Sequence, residues 1–117
     1  MEPIPFTLLT AWEAALGALM ERTARFPRSV RFTLGARVDN VAIDVLERLI
    51  EARYDYDRAA ALRTTNLDLE KLRVLLRVAH RRGFIDHAAF EQSIRDFDEV
   101  GSMVGGWIRS LSHDRSR

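Results

Sequence analysis

From Phe90 to Leu111, apolar or small residues stand at Phe90, Ile94, Phe97, Gly101, Val104, Ile108 and Leu111, in steps that alternate between four and three residues. That period belongs to an α-helix that meets a partner along its whole length; a strand would alternate every second residue. The same spacing recurs upstream. Leu9, Trp12, Leu16 and Leu19 share one helical face, as do Leu34, Val38, Val41, Val45 and Leu49, and again Leu62, Leu69, Leu72, Leu76 and Ala79.

Turn chemistry divides these stripes into four helices. Phe26-Pro27 ends the first, because proline pushes the residue before it out of the α region while suiting the start of a following helix. In Tyr54-Asp55-Tyr56-Asp57 the aspartates offer caps for the third. Gly83, preceded by Arg81 and Arg82, suits its C-terminal end, and Asp86, between Ile85 and Phe90, reads as the cap of the fourth. The predicted helices span about 6–25, 28–54, 57–82 and 86–111, with a frayed polar tail from Ser112. Gly35 inside the second predicts a close neighbour or a bend, and Gly101 inside the fourth predicts close approach of a partner helix. Short links make consecutive helices antiparallel neighbours, so the sequence predicts an all-α, up-down-up-down four-helix bundle forming a single domain over residues 1–117.

Several chemistries have no residues to carry them. The 117 residues contain no cysteine, hence no disulfide, thiolate zinc site or cysteine nucleophile, which suits a reducing cytoplasm. Met1 to Pro5 lacks a basic leader, and no window holds the roughly 18 apolar residues of a membrane span, so the expected localisation is cytoplasmic with no membrane partner. No nucleophile elbow, dinucleotide fingerprint or zinc-helix motif is present, and Gly101 to Gly106 lacks the lysine of a phosphate loop. None of His80, His87 and His113 follows a glutamate by three residues, as a di-iron bundle requires; His87 and Glu91 instead read as a surface i,i+4 contact. Asp96, Asp98 and Glu99 flank the last seam and read as a solvated face. The chain is expected to be no enzyme and to need no metal or cofactor.

Charge placement is more informative than its total, which is +1 from 18 basic and 17 acidic residues. Arg73, Arg77 and Arg81 recur every four residues, with Lys71 and Arg82 close by and no acid between Glu70 and Asp86, so one face of the third helix reads as basic and unpaired. Arg28 and Arg31 lie one turn apart at the start of the second helix, with Arg37 beyond. Such a stripe binds phosphates through charge, or pairs with acids of neighbouring helices. Gly105-Gly106-Trp107 leaves two readings as well. Two adjacent glycines in a helix cost roughly 2 kcal/mol relative to alanine, so the missing side chains serve tight packing beneath Trp107 or an early helix end, or else a flat subunit interface anchored by the indole.

Three segments, Phe26-Pro27-Arg28-Ser29-Val30-Arg31-Phe32-Thr33-Leu34-Gly35, Leu69-Glu70-Lys71-Leu72-Arg73-Val74-Leu75-Leu76-Arg77-Val78-Ala79 and Val100-Gly101-Ser102-Met103-Val104-Gly105-Gly106-Trp107-Ile108, occur in this order. Together they resemble the accessory variability determinant (Avd) proteins of diversity-generating retroelements. That group belongs to a four-helix-bundle family which also includes oligomeric proteins encoded by intervening sequences in 23S ribosomal RNA genes, with a structural or RNA-associated role. The Avd resemblance implies a non-catalytic accessory subunit, assembled as a ring-like homopentamer, that binds the retroelement's reverse transcriptase and its template RNA or cDNA during mutagenic retrohoming. It further implies that Arg28, Arg31, Arg73 and Arg77 face the transcriptase or nucleic acid; Arg81 joins them by helical spacing. The near-neutral charge departs from that family's basic character and shifts weight toward the protein partner.

Overall fold

The computed structural model describes residues 6–54 and 57–115. Met1 to Pro5, the candidate cap Asp55 and the last two residues of the tail lie outside the described residues, as does the side chain of His113. Four helical runs account for nearly everything else, with no strand among the described residues. Helix α1 is Phe6–Thr23. Helix α2 covers 28–54 and is built of a single α turn at Arg28–Val30, a π turn at Arg31–Gly35 and a regular stretch at Ala36–Tyr54. Helices α3 and α4 are Arg58–Arg81 and His87–Arg115.

The ends follow local chemistry. Asp57 caps α3 by accepting a hydrogen bond from the Ala60 amide, and Asp86 accepts from the Ala89 amide at 2.8 Å. Gly83 takes a positive φ of 74°, the left-handed conformation that closes α3. Helix α1 stops two residues short of the predicted end, where Arg25 and Phe26 turn back onto the carbonyls of Arg22 and Thr23. At the other end α4 continues to Arg115 instead of ending near Leu111, because no proline or glycine interrupts the residues between. The irregularity expected around Gly35 is the π turn, and a Cβ there would stand 3.5 Å from the Phe26 ring.

All four helices contribute to one core. Trp12, Phe26 and Phe97 are its largest fully buried side chains, surrounded by leucines including Leu8, Leu19, Leu49, Leu62, Leu69 and Leu72. Burying each such leucine stabilises the fold by about 1.5–3 kcal/mol relative to exposure. The Trp12 and Phe97 rings meet with centroids 5.9 Å apart, and the indole N–H, which would be costly to bury unpaired, donates to the Ala42 carbonyl at 2.9 Å. Helix α1 packs against α2 and α4, and α3 packs against the same two, so α1 and α3 stand diagonally across the molecule. The result is a rod of 52 × 20 × 19 Å, two helix diameters across.

Candidate functional site

The basic residues of α3 were expected to stand unpaired, and the structure corrects this for three of them. Arg73 donates through Nε to Asp98 of α4 at 3.0 Å and through Nη1 to Glu70 at 3.2 Å. Arg77 reaches the other oxygen of Glu70 at 3.7 Å. Lys71 lies 3.7 Å from the buried carboxylate of Asp68, which Arg48 of α2 approaches at 3.4 Å. The reason is geometric. Glu70 precedes Arg73 and Arg77 by one and two turns on the same face, while Asp98 becomes a neighbour only once α4 folds against α3. These partners are largely exposed, so the pairs hold side chains in place more than they hold the fold together.

Arg73 and Arg77 line a groove of about 610 Å³ between α3 and α4, together with Glu70, Phe90, Glu91, Ile94 and Arg95. The absence of a side chain at Gly101 lets the Arg73 guanidinium cross α4, where a Cβ would stand 3.0 Å from Nη2. At one end of the groove Phe90 stacks on His80 with centroids 4.2 Å apart. The His80 and His87 rings meet through Nε2 and Nδ1 at 3.1 Å, and His87 Nε2 contacts Glu91 at 2.9 Å, the surface i,i+4 pairing read from the sequence. The groove therefore presents three arginines and two glutamates over an apolar floor. It suits a mixed-charge protein surface better than a bare polyanion.

The other arginines read from the sequence are elsewhere. Arg81 is exposed beyond the groove and makes no ion pair among the described residues. Arg28 is exposed at the start of α2, and Arg31, on the π turn, donates to the Phe26 carbonyl at 3.2 Å. The structure thus joins Arg73 to Arg77 and leaves Arg28, Arg31 and Arg81 outside their groove. Two residues escaped the sequence reading. Arg95 follows seam residue Ile94, and a residue one step off a helical seam flanks the contact, which was the signal available. Phe32 is 81% exposed on the π turn, directly after Arg31; its lack of fit to the Leu34 to Leu49 stripe marked it as an outward aromatic.

Two further expectations are modified. Asp96 is half-buried, not simply solvated, because Arg22 in the last turn of α1 reaches it at 3.5 Å and Gln92 donates to it at 2.9 Å. At the glycine pair, α4 runs on unbroken, and among the described residues a Cβ on Gly105 or Gly106 would meet only the Arg109 side chain, at 3.4 and 3.9 Å. No neighbouring helix fills that space among the described residues. Trp107 is half-buried and, with Met103, Gly106 and Ser110, lines an open concavity of about 300 Å³.

No helix of the described residues is long and apolar enough to cross a membrane. No curated protein matches the chain. A family model described as bAvd-like matches residues 13–111, a stretch that includes all three segments on which the Avd resemblance rests. The chain belongs to the bAvd-like family.

Proposed function

We propose that the protein is a non-catalytic accessory factor of a diversity-generating retroelement. It works in the cytoplasm as a ring-like homopentamer that holds the reverse transcriptase and its template RNA together during mutagenic cDNA synthesis. The family match over residues 13–111 carries this reading. The surface chemistry supports it. The α3–α4 groove, with Arg73, Arg77 and Arg95 set among Glu70, Glu91 and apolar Phe90 and Ile94, offers the transcriptase paired charges and an apolar floor. Three exposed arginines that make no ion pair among the described residues, Arg28, Arg81 and Arg82, serve the RNA backbone.

The bundle is read as a single up-down-up-down domain. Contacts between α2 and α3 run from Arg48 beside Asp68 to Arg37 and Val74 in one groove, and those between α3 and α4 run from Arg73 at Asp98 to His80 at Phe90. In each pair one residue number rises as the other falls. That register brings Arg28 and Arg31 toward the same end of the rod as Arg81 and Arg82, so a strand of RNA leaving the groove meets them in succession.

Substitution of Arg73 and Arg77 by glutamate in the full chain is expected to abolish capture of the transcriptase while circular dichroism stays helical. Unchanged capture would remove the groove from the transcriptase contact.

A further inference from the structure

Three aliphatic side chains of α3, Leu67, Val74 and Val78, are 56, 44 and 46% exposed. Their spacing puts them on one face, opposite the face formed by Leu62, Leu69, Leu72 and Leu76. With Lys71 between them, positions 67, 71, 74 and 78 follow the 4-3-4 steps of a helix-packing seam that no helix covers among the described residues. Arg63 and Arg81, both exposed and without ion pairs among the described residues, extend the ridge at either end.

On the far side of the bundle, α1 and α4 leave a groove of about 400 Å³ floored by Ala11, Ala14, Ala15 and Ala18, with Asp96 and Glu99 along the α4 wall. Alanines admit a helix closely, because their side chains stop at the β-carbon. Asp96 is held by Arg22, while Glu99 is exposed and makes no ion pair among the described residues. Since α1 lies diagonally across from α3, one chain can present its ridge and its groove at the same time.

We infer that the α3 ridge of one copy seats in the α1–α4 groove of the next, with Leu67, Val74 and Val78 against the alanines and Arg63 and Lys71 against Glu99. This rests on the homo-oligomer reading above and assigns its contact. Charge selects the pairing. A ridge on a ridge would oppose Arg63 and Lys71 to their own copies, whereas a ridge in a groove meets Glu99, the acid there that Arg22 leaves unpaired. Because the two surfaces differ, the contact is head-to-tail, the kind that does not stop at a dimer and forms a ring where its rotation closes.

Light scattering behind size exclusion tests this with Val74→Glu on the ridge and Ala14→Arg in the groove, both at exposed positions. Circular dichroism checks the fold, and Leu67→Lys stands in for Val74→Glu should that variant unfold. The expected result is an assembled wild type and two variants that each run as monomers. Mixed one to one, they should form a two-chain species, since the mixture retains one intact ridge and one intact groove. Variants that keep the wild-type mass, or a mixture that stays monomeric, would overturn the ridge-in-groove contact while leaving the assembly reading in place. A monomeric wild type would overturn the assembly reading itself.

Discussion

Replacing Gly105 and Gly106 together by alanine should stabilise the isolated chain. In the interior of α4 each glycine costs about 1 kcal/mol relative to alanine, and nothing among the described residues recovers that cost. The nearest atoms to the added methyl groups are the guanidinium nitrogens of Arg109, at 3.4 and 3.9 Å, at the end of a flexible exposed side chain that moves aside cheaply. The expected gain is about 2 kcal/mol. At roughly 4 °C per kcal/mol for a domain of this size the melting temperature rises by about 8 °C, and for an m-value of about 2 kcal/mol/M the urea midpoint rises by about 1 M. The assay is urea unfolding followed by circular dichroism at two protein concentrations, with the m-value checked for constancy. A gain at low concentration that shrinks at high concentration would show a partner copy using the space in the assembled state, since assembly stabilises by mass action. A lowered midpoint at low concentration would refute the reasoning, because it would mean that another part of the same chain fills that space.

Two further outcomes follow from single side chains. Burial raises the Asp39 carboxyl above its ordinary pKa, and the hydrogen bond it accepts from Thr23 at 2.6 Å offsets only part of the shift. The native state therefore holds this proton more tightly than the unfolded chain, and the contribution to stability falls as pH rises from below the ordinary carboxylate value through the native one. Measured by urea unfolding across pH, Asp39→Asn should match the wild type at the acid end and become the more stable of the two as pH rises; a difference independent of pH would contradict this. Phe32, 81% exposed, adds almost nothing to the core, so Phe32→Ala should shift stability by less than about 0.5 kcal/mol. Its binding to the transcriptase should nevertheless weaken by about tenfold or more if Phe32 anchors the contact, as titration calorimetry would show.

Helix positions were legible because the relevant forces are local. The i,i+3/i+4 stripes, Asp57, Asp86 and Gly83 act within a turn or two of their own position, so Trp12, Leu49, Leu72 and Phe97 were identifiable as core residues from spacing alone. The site was less legible, because electrostatic pairing depends on register between helices. Nothing in the spacing of α3 shows that Asp98 arrives beside Arg73, or that Arg22 of α1 takes Asp96 from the solvated face. Gly35 did signal a close neighbour or a bend, but which neighbour was not legible: it is Phe26, brought there by the α1–α2 link, beside a π turn. Arg73 and Arg77 were found together because they are one turn apart, whereas Arg95 entered their groove from a different helix.

Those pairings yield a prediction opposite in sign to charge removal. Glu70 is the common partner of Arg73 and Arg77, and one of its oxygens serves each. Glu70→Gln takes away one negative charge, raises the formal charge of the chain from +1 to +2, and leaves Arg77 with no carboxylate among its present ion-pair partners while Arg73 keeps Asp98. The cost to the fold is small, since Glu70 is 56% exposed at its side chain and pairs of this kind contribute little. If the arginine face meets phosphates, single-stranded RNA should bind the variant more tightly than the wild type. Each arginine newly able to reach a phosphate should also steepen the dependence of log K on log salt by about 0.7. Titrating a fluorescent RNA oligonucleotide at several salt concentrations separates the two contributions. Tighter binding with an unchanged slope would point to contact without phosphate neutralisation. Weaker binding would mean that Glu70 positions the two arginines for the RNA itself, and unchanged binding would mean that the RNA does not use this pair, which leaves it to a protein surface.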